Sequence, residues 1–321
     1  MADWESSMTE LCYETAGAVY FYTISELGAT ITGYEGNKME VTIPVQIADT
    51  TVCAIGKKAF FNQKGLFRIY VPGTVSAIGD WAFAHCHDLE EIYLPRQEYD
   101  LGKALFMECD NLKRICLIET VADGEKISEG AVRDSVKGFG SLLAAVCGIL
   151  DAPYLFQTTE RDGKEWLALW DARMLTILHG DDMEGYTRLL LCGEEDYGSR
   201  ENNLEFFLSE KRKRKVRLAF LRLLYDKGLA ENFRKELTEY LLFHTMGCES
   251  NETWRVLKEE HGEDRDYIAL FLELGCVTLD NFDAILRDLG EEHPQMKAYL
   301  MRYKEEKLGG YDFFENLSLD L

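Results

Sequence analysis

The chain has 321 residues, of which 46% are hydrophobic and 29% charged, and its formal net charge is −22. This composition is typical of a globular protein with room for roughly two domains. The acidic balance argues against nucleic acid and anionic membranes as partners, because a polyanion would be repelled. No apolar run reaches about 18 residues, so no membrane span is predicted.

The N-terminus and the cysteines favour a cytoplasmic protein. Met1 to Leu11 contains Asp3, Glu5 and Glu10 and lacks the basic-then-apolar layout of an export signal, so none is expected. The nine cysteines form no CxxC pair, and several lie in apolar runs such as residues 115–117. We therefore expect free, buried thiols in a reducing compartment.

Two alternating runs near the N-terminus predict a β-hairpin. Residues 18–24 and 29–34 are rich in aromatic and β-branched side chains, and Gly28 lies between them. We expect this hairpin to cover the open edge of the sheet that follows.

A repeat of 23 residues follows the hairpin. One such unit cannot bury its own apolar face, so the units must stack around a shared interior. Proline ends two of the predicted strands, and a glycine in each unit permits a turn that a side chain would obstruct. The recurring columns are Ile55, Ile78 and Leu101; Phe60, Phe83 and Phe106; Leu66, Leu89 and Leu112; Ile69, Ile92 and Ile115; and Cys86 and Cys109.

These columns resemble the BspA-type leucine-rich repeat, from about Ile31 to Leu117. The resemblance implies a short, curved solenoid of parallel strands. The chain departs from the pattern at Glu98, which occupies the column of Val52 and Val75, so we expect the last unit to be a cap. Many proteins with this repeat are surface-exposed or secreted, whereas this N-terminus predicts no export.

Aligning the predicted strands gives two outward columns. The first, Glu40, Arg68, Glu91 and Arg114, alternates in charge, and the second consists of Thr42, Tyr70, Tyr93 and Cys116. Exposed aromatic side chains on a sheet are typical interface anchors. The residues that we predict to bind a partner are Phe67, Arg68, Tyr70, Glu91, Tyr93 and Arg114.

Two simpler interpretations of the same face stay open. The charged column can be a self-neutralising ladder that fixes the strand register. The aromatic column can be covered by the helical domain or by a second copy of the chain.

Beyond Leu117 the apolar period changes to three and four, which indicates helices. We predict a linker at residues 121–130 between domains at 1–120 and 131–321. The predicted fold class is therefore α+β, a short leucine-rich-repeat solenoid followed by an all-α helical-repeat domain. Residues 228–233 and 278–282 echo one another, which makes this domain similar to degenerate ankyrin repeats, although an irregular bundle is nearly as good an interpretation.

The helical part also contains start and stop signals. We expect helices at about 132–150 and 164–178, and a third that begins at Ser209. Ser250 and Thr278 are predicted N-caps, and Pro294 fits the first turn of a last helix that ends near residue 307. The acidic tail, residues 311–321, either docks on the last helices or stays mobile.

Three groups of residues could carry chemistry. In His85-Cys86-His87, the cysteine shares a column with Cys109 and is predicted to be core; no second Cys/His group has metal-ligand spacing, so no metal is predicted. The basic run at 211–215 is predicted to be a solvated helix face that pairs with local acids. The acidic loops at 179–200 are predicted to form caps and turns, because they lack the calcium-loop spacing.

No nucleotide-binding, hydrolase or metalloprotease motif occurs, so neither catalysis nor a cofactor is predicted. We predict a non-catalytic protein–protein interaction or scaffold module of a bacterial cell, with another protein as its partner. The alternatives are an enzyme with its site in loops 179–200 and a surface recognition protein.

Overall fold

The computed structural model describes residues 9–15, 17–118, 138–157, 163–187 and 203–309. The chain divides into two compact units, Met1–Leu175 and Thr176–Leu321. An N-terminal β-solenoid of about four turns is followed by a helical region with eight α-helices in the described residues, which agrees with the predicted α+β class. The predicted linker at 121–130 lies outside the described residues, and the division into units falls between Leu175 and Thr176, near the end of the second helix.

The described residues of the first unit form eleven strands in two sheets. The larger sheet has the order β1-β2-β3-β6-β8-β10, with β5 beside β6, and the smaller sheet has the order β4-β7-β9-β11. The strands are β1 Leu11–Thr15, β2 Ala18–Ser25, β3 Gly28–Gly36, β4 Glu40–Thr42, β5 Gln46–Ile47, β6 Thr50–Ile55, β7 Arg68–Tyr70, β8 Ala77–Ile78, β9 Glu91–Pro95, β10 Asp100–Leu101 and β11 Arg114–Ile118.

The predicted hairpin is confirmed, because β2 and β3 pair antiparallel. Strand β3 then pairs parallel with β6, so the hairpin extends the larger sheet. The smaller sheet, which carries the predicted partner-binding residues, is entirely parallel. The hairpin is therefore continuous with the larger of the two sheets of the solenoid and not with the smaller one.

A column of aromatic rings fills the interior of the solenoid. The rings of Phe60, Phe83 and Phe106 stack with centroids 5.6 Å apart at each step, and all three side chains are buried. Tyr34 of the hairpin stacks on Phe60 at 5.1 Å, and Phe156 meets Phe106 edge to face at 5.8 Å. The 23-residue period is therefore the distance along the chain from one buried ring to the next.

The repeat glycines are required by the close approach of successive turns. A Cβ at Gly79 would lie 2.6 Å from the backbone nitrogen of Lys57 in the preceding turn, which is too close for any side chain. Gly79 does not have a positive φ. The stacking distance between turns therefore selects glycine here.

Helices α1 (Phe139–Gly148) and α2 (Lys164–Leu178), with a 3₁₀ segment at Pro153–Gln157, follow the solenoid. Helix α1 packs against β11, where Gly140 allows its backbone to approach Ile115. The indole of Trp170 donates to the carbonyl of Leu142 at 3.2 Å. Helix α1 therefore closes the open end of the smaller sheet. The sequence pattern had instead assigned residues from 131 onward to the helical domain.

The second unit contains six α-helices in its described part. The predicted N-cap Thr278 is confirmed, with a full capping box formed with Asn281, and Pro294 lies in the first turn of the last helix as predicted. The helices are α3 Leu204–Leu224, α4 Glu231–Phe243, α5 Glu252–His261, α6 Arg265–Glu273, α7 Leu279–Leu289 and α8 Pro294–Lys307.

Two predicted helix starts are wrong. Helix α3 begins at Leu204 rather than Ser209, because the Asn203 side chain caps the backbone N–H groups of residues 205 and 206. Ser250 is not an N-cap: Asn251 has that position, and the Ser250 hydroxyl is 2.7 Å from Nδ1 of His244. In both cases a tertiary or local hydrogen bond competed with the signal that we used. The tail at 311–321 lies outside the described residues.

No helix among the described residues is long and apolar enough to cross a membrane.

Candidate functional site

The smaller sheet brings the two predicted outward columns into the expected register. Glu40 pairs with Arg68, Arg68 with Glu91 and Glu91 with Arg114 across the parallel strands. In the next column, Tyr70 lies between Thr42 and Tyr93. Residues that are 23 positions apart in the chain therefore lie side by side on neighbouring strands.

The charged column is an ion-pair network centred on Glu91. Arg68 lies 2.6 Å from Glu40 and 3.2 Å from Glu91, and Arg114 also binds Glu91. Burial alone would raise the pKa of the Glu91 carboxyl, but the hydrogen bond from Tyr93 and the two guanidiniums hold the pKa below its ordinary value. Glu91 therefore stays ionised and fixes both arginines.

The two tyrosines form a stacked pair. The rings of Tyr70 and Tyr93 are nearly parallel, with centroids 4.4 Å apart, and both side chains are half-buried. The Tyr93 hydroxyl donates to Glu91 at 2.7 Å, which ties the aromatic pair to the ion-pair network. We name Arg68, Tyr70, Tyr93 and Arg114 the tyrosine–arginine face.

Not every residue in the predicted surface is accessible. Glu91 is only 4% exposed, so it supports the face from below and cannot be presented to a partner. Phe67 is half-buried rather than fully solvent-facing. At the end of the tyrosine column Cys116 is buried, and Gly140 of α1 lies beside its sulfur. The surface that a partner could contact is therefore smaller than the six predicted residues suggest.

The basic run at 211–215 is internal to the helical unit. Lys215 reaches Asp182 at 2.6 Å and the Gly180 carbonyl at 2.7 Å, and Lys213 pairs with Glu259 at 3.1 Å. Pairing with local acids is thus correct, but the predicted solvated face is wrong for these two lysines, which are buried. Their long side chains are buried while the ammonium groups reach carboxylates.

The described half of the acidic loops, residues 179–187, contains structural carboxylates. Asp182 binds Lys215 and Arg212, and Asp181 accepts from the backbone N–H of Met183 at 2.9 Å. Burial would raise the pKa of Asp182, but its bonds to Lys215 and Arg212 lower it below the ordinary value. Such a carboxylate anchors a loop. Residues 188–200 lie outside the described residues, so an enzymatic site there stays a prediction.

The His85-Cys86-His87 segment splits between the interior and the surface. Cys86 is buried, and its thiol donates to the carbonyl of Phe60 at 3.0 Å, as predicted for a core cysteine. Both histidines instead pair with carboxylates of the next turn. His85 Nδ1 is 2.8 Å from Glu108, and His87 Nδ1 is 2.7 Å from Asp110.

The side chains of this cluster are not all close together in the chain, so the local Cys/His pattern did not indicate it. Glu108 and Asp110 follow the two histidines by one repeat, so the signal was present in the same 23-residue offset that defined the core.

This architecture defines the first unit as a leucine-rich-repeat solenoid. Residues 38–135 match the family described as "BspA type Leucine rich repeat region", in 6 copies. The match covers less than half of the chain, so it identifies the repeat region and leaves the helical unit without a family. No curated protein matches the chain.

Several solved structures are similar to part of the chain. A leucine-rich repeat protein of T. pallidum is 31% identical over 31% of this chain and 47% of its own, with a TM-score of 0.29. A leucine rich cell surface protein of Faecalibacterium prausnitzii is 27% identical over 35% of this chain and 31% of its own, with a TM-score of 0.28. A leucine-rich repeat protein of Bacteroides capillosus is 27% identical over 32% of this chain and 78% of its own, with a TM-score of 0.27.

The chain thus spans about half the length of the T. pallidum protein and about a third of the Faecalibacterium protein. At these TM-scores the fold assignment depends on the family match and on the strand register.

Proposed function

We propose that this chain is a non-catalytic interaction or scaffold module that binds another protein through the tyrosine–arginine face. The observation that carries the proposal is the stacked Tyr70–Tyr93 pair, half-exposed on the outer side of a parallel sheet. The family match supports the coarser part of the proposal, because repeat solenoids present extended binding surfaces.

The face has the composition and order of a binding hot spot. Tyrosine and arginine are enriched among residues that dominate interface energies. Stacking holds both rings, and the bond from Tyr93 to Glu91 fixes one of them, so little side-chain entropy remains to be lost on binding. Arg68 and Arg114 keep 39% and 45% of their side chains exposed although both contact Glu91.

We further propose that the module works in a bacterial cytoplasm. Supporting this, the cysteines of the described residues are free thiols, and Cys86 and Cys109 among them are buried, which fits a reducing compartment. We also propose that the helical unit is a degenerate ankyrin-like array, which its short, capped helices support. The alternative of a surface recognition protein predicts that the same face binds an extracellular ligand, which cell fractionation distinguishes.

The test uses the full chain to capture a partner from extracts of the source cells, followed by calorimetry with the purified partner. Replacing both tyrosines in Tyr70→Ala/Tyr93→Ala should weaken binding by at least tenfold, because aromatic anchors contribute about 2 kcal/mol or more. Tyr93→Phe keeps the stacked ring and loses only the bond to Glu91, so it should bind nearly as well as the wild type.

Tyr154→Ala is the matched control, because Tyr154 is 53% exposed and lies in the 3₁₀ segment rather than on the smaller sheet. Thermal unfolding by circular dichroism should show that every variant is folded. A partner that binds the double variant and the wild type equally well would remove this face from the proposal.

A further inference from the structure

The structure points to a metal site on the surface of two successive turns of the solenoid. We propose that His85, His87 and Glu108 bind one divalent transition-metal ion of the Zn²⁺ class. One ring nitrogen of each histidine and one carboxylate oxygen of Glu108 lie within 4.8 Å of one another. These side chains come from two successive turns, and no other group of three such residues is found within the described part of the chain.

The donor set determines the class of metal. Imidazole nitrogens suit zinc and its neighbours in the first transition row, whereas calcium and magnesium require mostly oxygen ligands. The thiols beside the cluster are not metal ligands in this proposal. Cys86 and Cys109 are buried and donate to the carbonyls of Phe60 and Phe83 at 3.0 and 3.1 Å.

The existing ion pairs arrange the donors for a metal. A carboxylate can only accept, so in a neutral His87 ring the hydrogen on Nδ1 binds Asp110 and the lone pair of Nε2 is left for a metal. At His85, Nδ1 lies 2.8 Å from Glu108, where a bound ion takes the place of the shared proton.

The distances among the donors require only side-chain movement. Zinc binds nitrogen and oxygen at about 2.0–2.2 Å in tetrahedral geometry, so its ligand atoms lie about 3.4 Å apart. The His85–Glu108 pair at 2.8 Å must therefore open slightly, and any ligand atoms near the 4.8 Å limit must approach by about an ångström. His87 and Glu108 have side chains that are 52% and 56% exposed and therefore free to rotate. His85 is the more fixed member, with its ring 4.9 Å from that of Phe61.

The turn geometry does not by itself explain the choice of residues. Asn62, His85 and Glu108 occupy equivalent positions of three successive repeats, with φ of 55°, 59° and 56°. Asparagine and histidine are both enriched in this left-handed backbone, whereas glutamate is not. Metal binding accounts for Glu108, the one side chain of the three that the turn does not favour.

Ordinary histidine–carboxylate pairs elsewhere in the chain provide the comparison. His179 pairs with Glu236 at 2.9 Å, and His293 with Glu263 at 3.3 Å. Each of these has a single imidazole, and neither belongs to a group of three metal-ligating residues in the described structure. Variants of His179 therefore remove a pair without removing the proposed site.

The experiment is a titration of the untagged full chain with Zn²⁺ in a phosphine reductant, followed by calorimetry and by the absorption spectrum with Co²⁺. We expect one ion per chain and a higher melting temperature with Zn²⁺, since an ion that binds only the folded state stabilises it. His85→Asn should weaken binding at least tenfold and still fold, because it restores the residue of the preceding repeat.

Glu108→Gln should also weaken binding at least tenfold, and His179→Ala should leave it unchanged. The Co²⁺ spectrum should lack the thiolate charge-transfer band that cysteine ligands produce. The proposal is overturned if His85→Asn and His179→Ala bind Zn²⁺ alike, if no variant changes the affinity, or if a thiolate band shows that cysteines hold the ion.

Discussion

The two units each hold a carboxylate between two basic side chains, but they assemble this arrangement differently. In the solenoid, Glu91 lies between Arg68 and Arg114, each one repeat away along the chain. In the helical unit, Asp182 binds Arg212 and Lys215, which lie 30 and 33 residues further along the chain. A repeat places its ionic partners by a fixed offset, whereas a bundle places them by packing alone.

The same contrast applies to the cores. In the solenoid, equivalent phenylalanines stack on one another, so each turn is held by its neighbours. In the helical unit, the large buried side chains include Trp254, Phe271 and Phe282, which share no period. Damage in the solenoid should therefore spread along the stack, and damage in the bundle should stay within one packing site.

The largest expected effect comes from removing a ring of the central column. Phe83→Ala should lower the free energy of unfolding of the solenoid by about 3–5 kcal/mol, because it leaves a cavity between two stacked rings. Hydrogen exchange should show loss of protection in the turns on both sides. Phe282→Ala, at an equally buried position, should cost about as much and lose protection near α7 only. If the loss of protection extended equally far in both variants, the contrast between the units would be contradicted.

The next effect compares these two ion-paired carboxylates, Glu91 and Asp182. Asp182→Asn should cost about 2–4 kcal/mol, because Lys215, with only 7% of its side chain exposed, keeps an unpaired charge. Glu91→Gln should cost less, about 1–2 kcal/mol, because Arg68 retains Glu40 and Arg114 reaches water. Urea unfolding measures both values. The exposed Lys235→Ala serves as the control and should change stability by less than about 0.5 kcal/mol.

Helix caps provide a smaller test in the helical unit. Asn203→Ala and Thr278→Ala should each cost about 1 kcal/mol, because each removes the side-chain acceptor of a first helical turn. Ser209→Ala, at the start that the sequence pattern favoured, should be the milder change. If Asn203→Ala left the melting temperature unchanged while Thr278→Ala lowered it, the cap assignment at Asn203 would be wrong.

The smallest expected effect is on the free energy of unfolding at acidic pH. The pKa values of Glu91 and Asp182 are lowered on folding, so their contributions are complete above the ordinary values of 4.5 and 3.8 and are lost as the pH falls through the lowered ones. Wild-type stability should therefore drop below about pH 4.5. Urea unfolding between pH 7 and 3 should show a flatter profile for Glu91→Gln and Asp182→Asn, and an unchanged slope would contradict the shift.

Most of the solenoid followed from the sequence, and the reason is physical. A 23-residue offset fixes which side chains meet, so Phe60 on Phe83 and Tyr70 beside Tyr93 could be inferred by alignment. The same offset also placed Glu108 beside His85, but a search confined to neighbouring residues overlooked it. The helical unit offered only local signals, which found Thr278 and missed Asn203.

The sequence by itself determined the period, the parallel register and the identity of the residues in each column, since these depend on spacing along the chain. Only the tertiary structure decided which of those residues are accessible. Glu91 proved to be buried beneath its arginines, and Cys116 proved to be covered by α1. It also decided that Lys213 and Lys215 are interior ionic anchors, because burial depends on what packs from distant parts of the chain, and no local pattern contains that information.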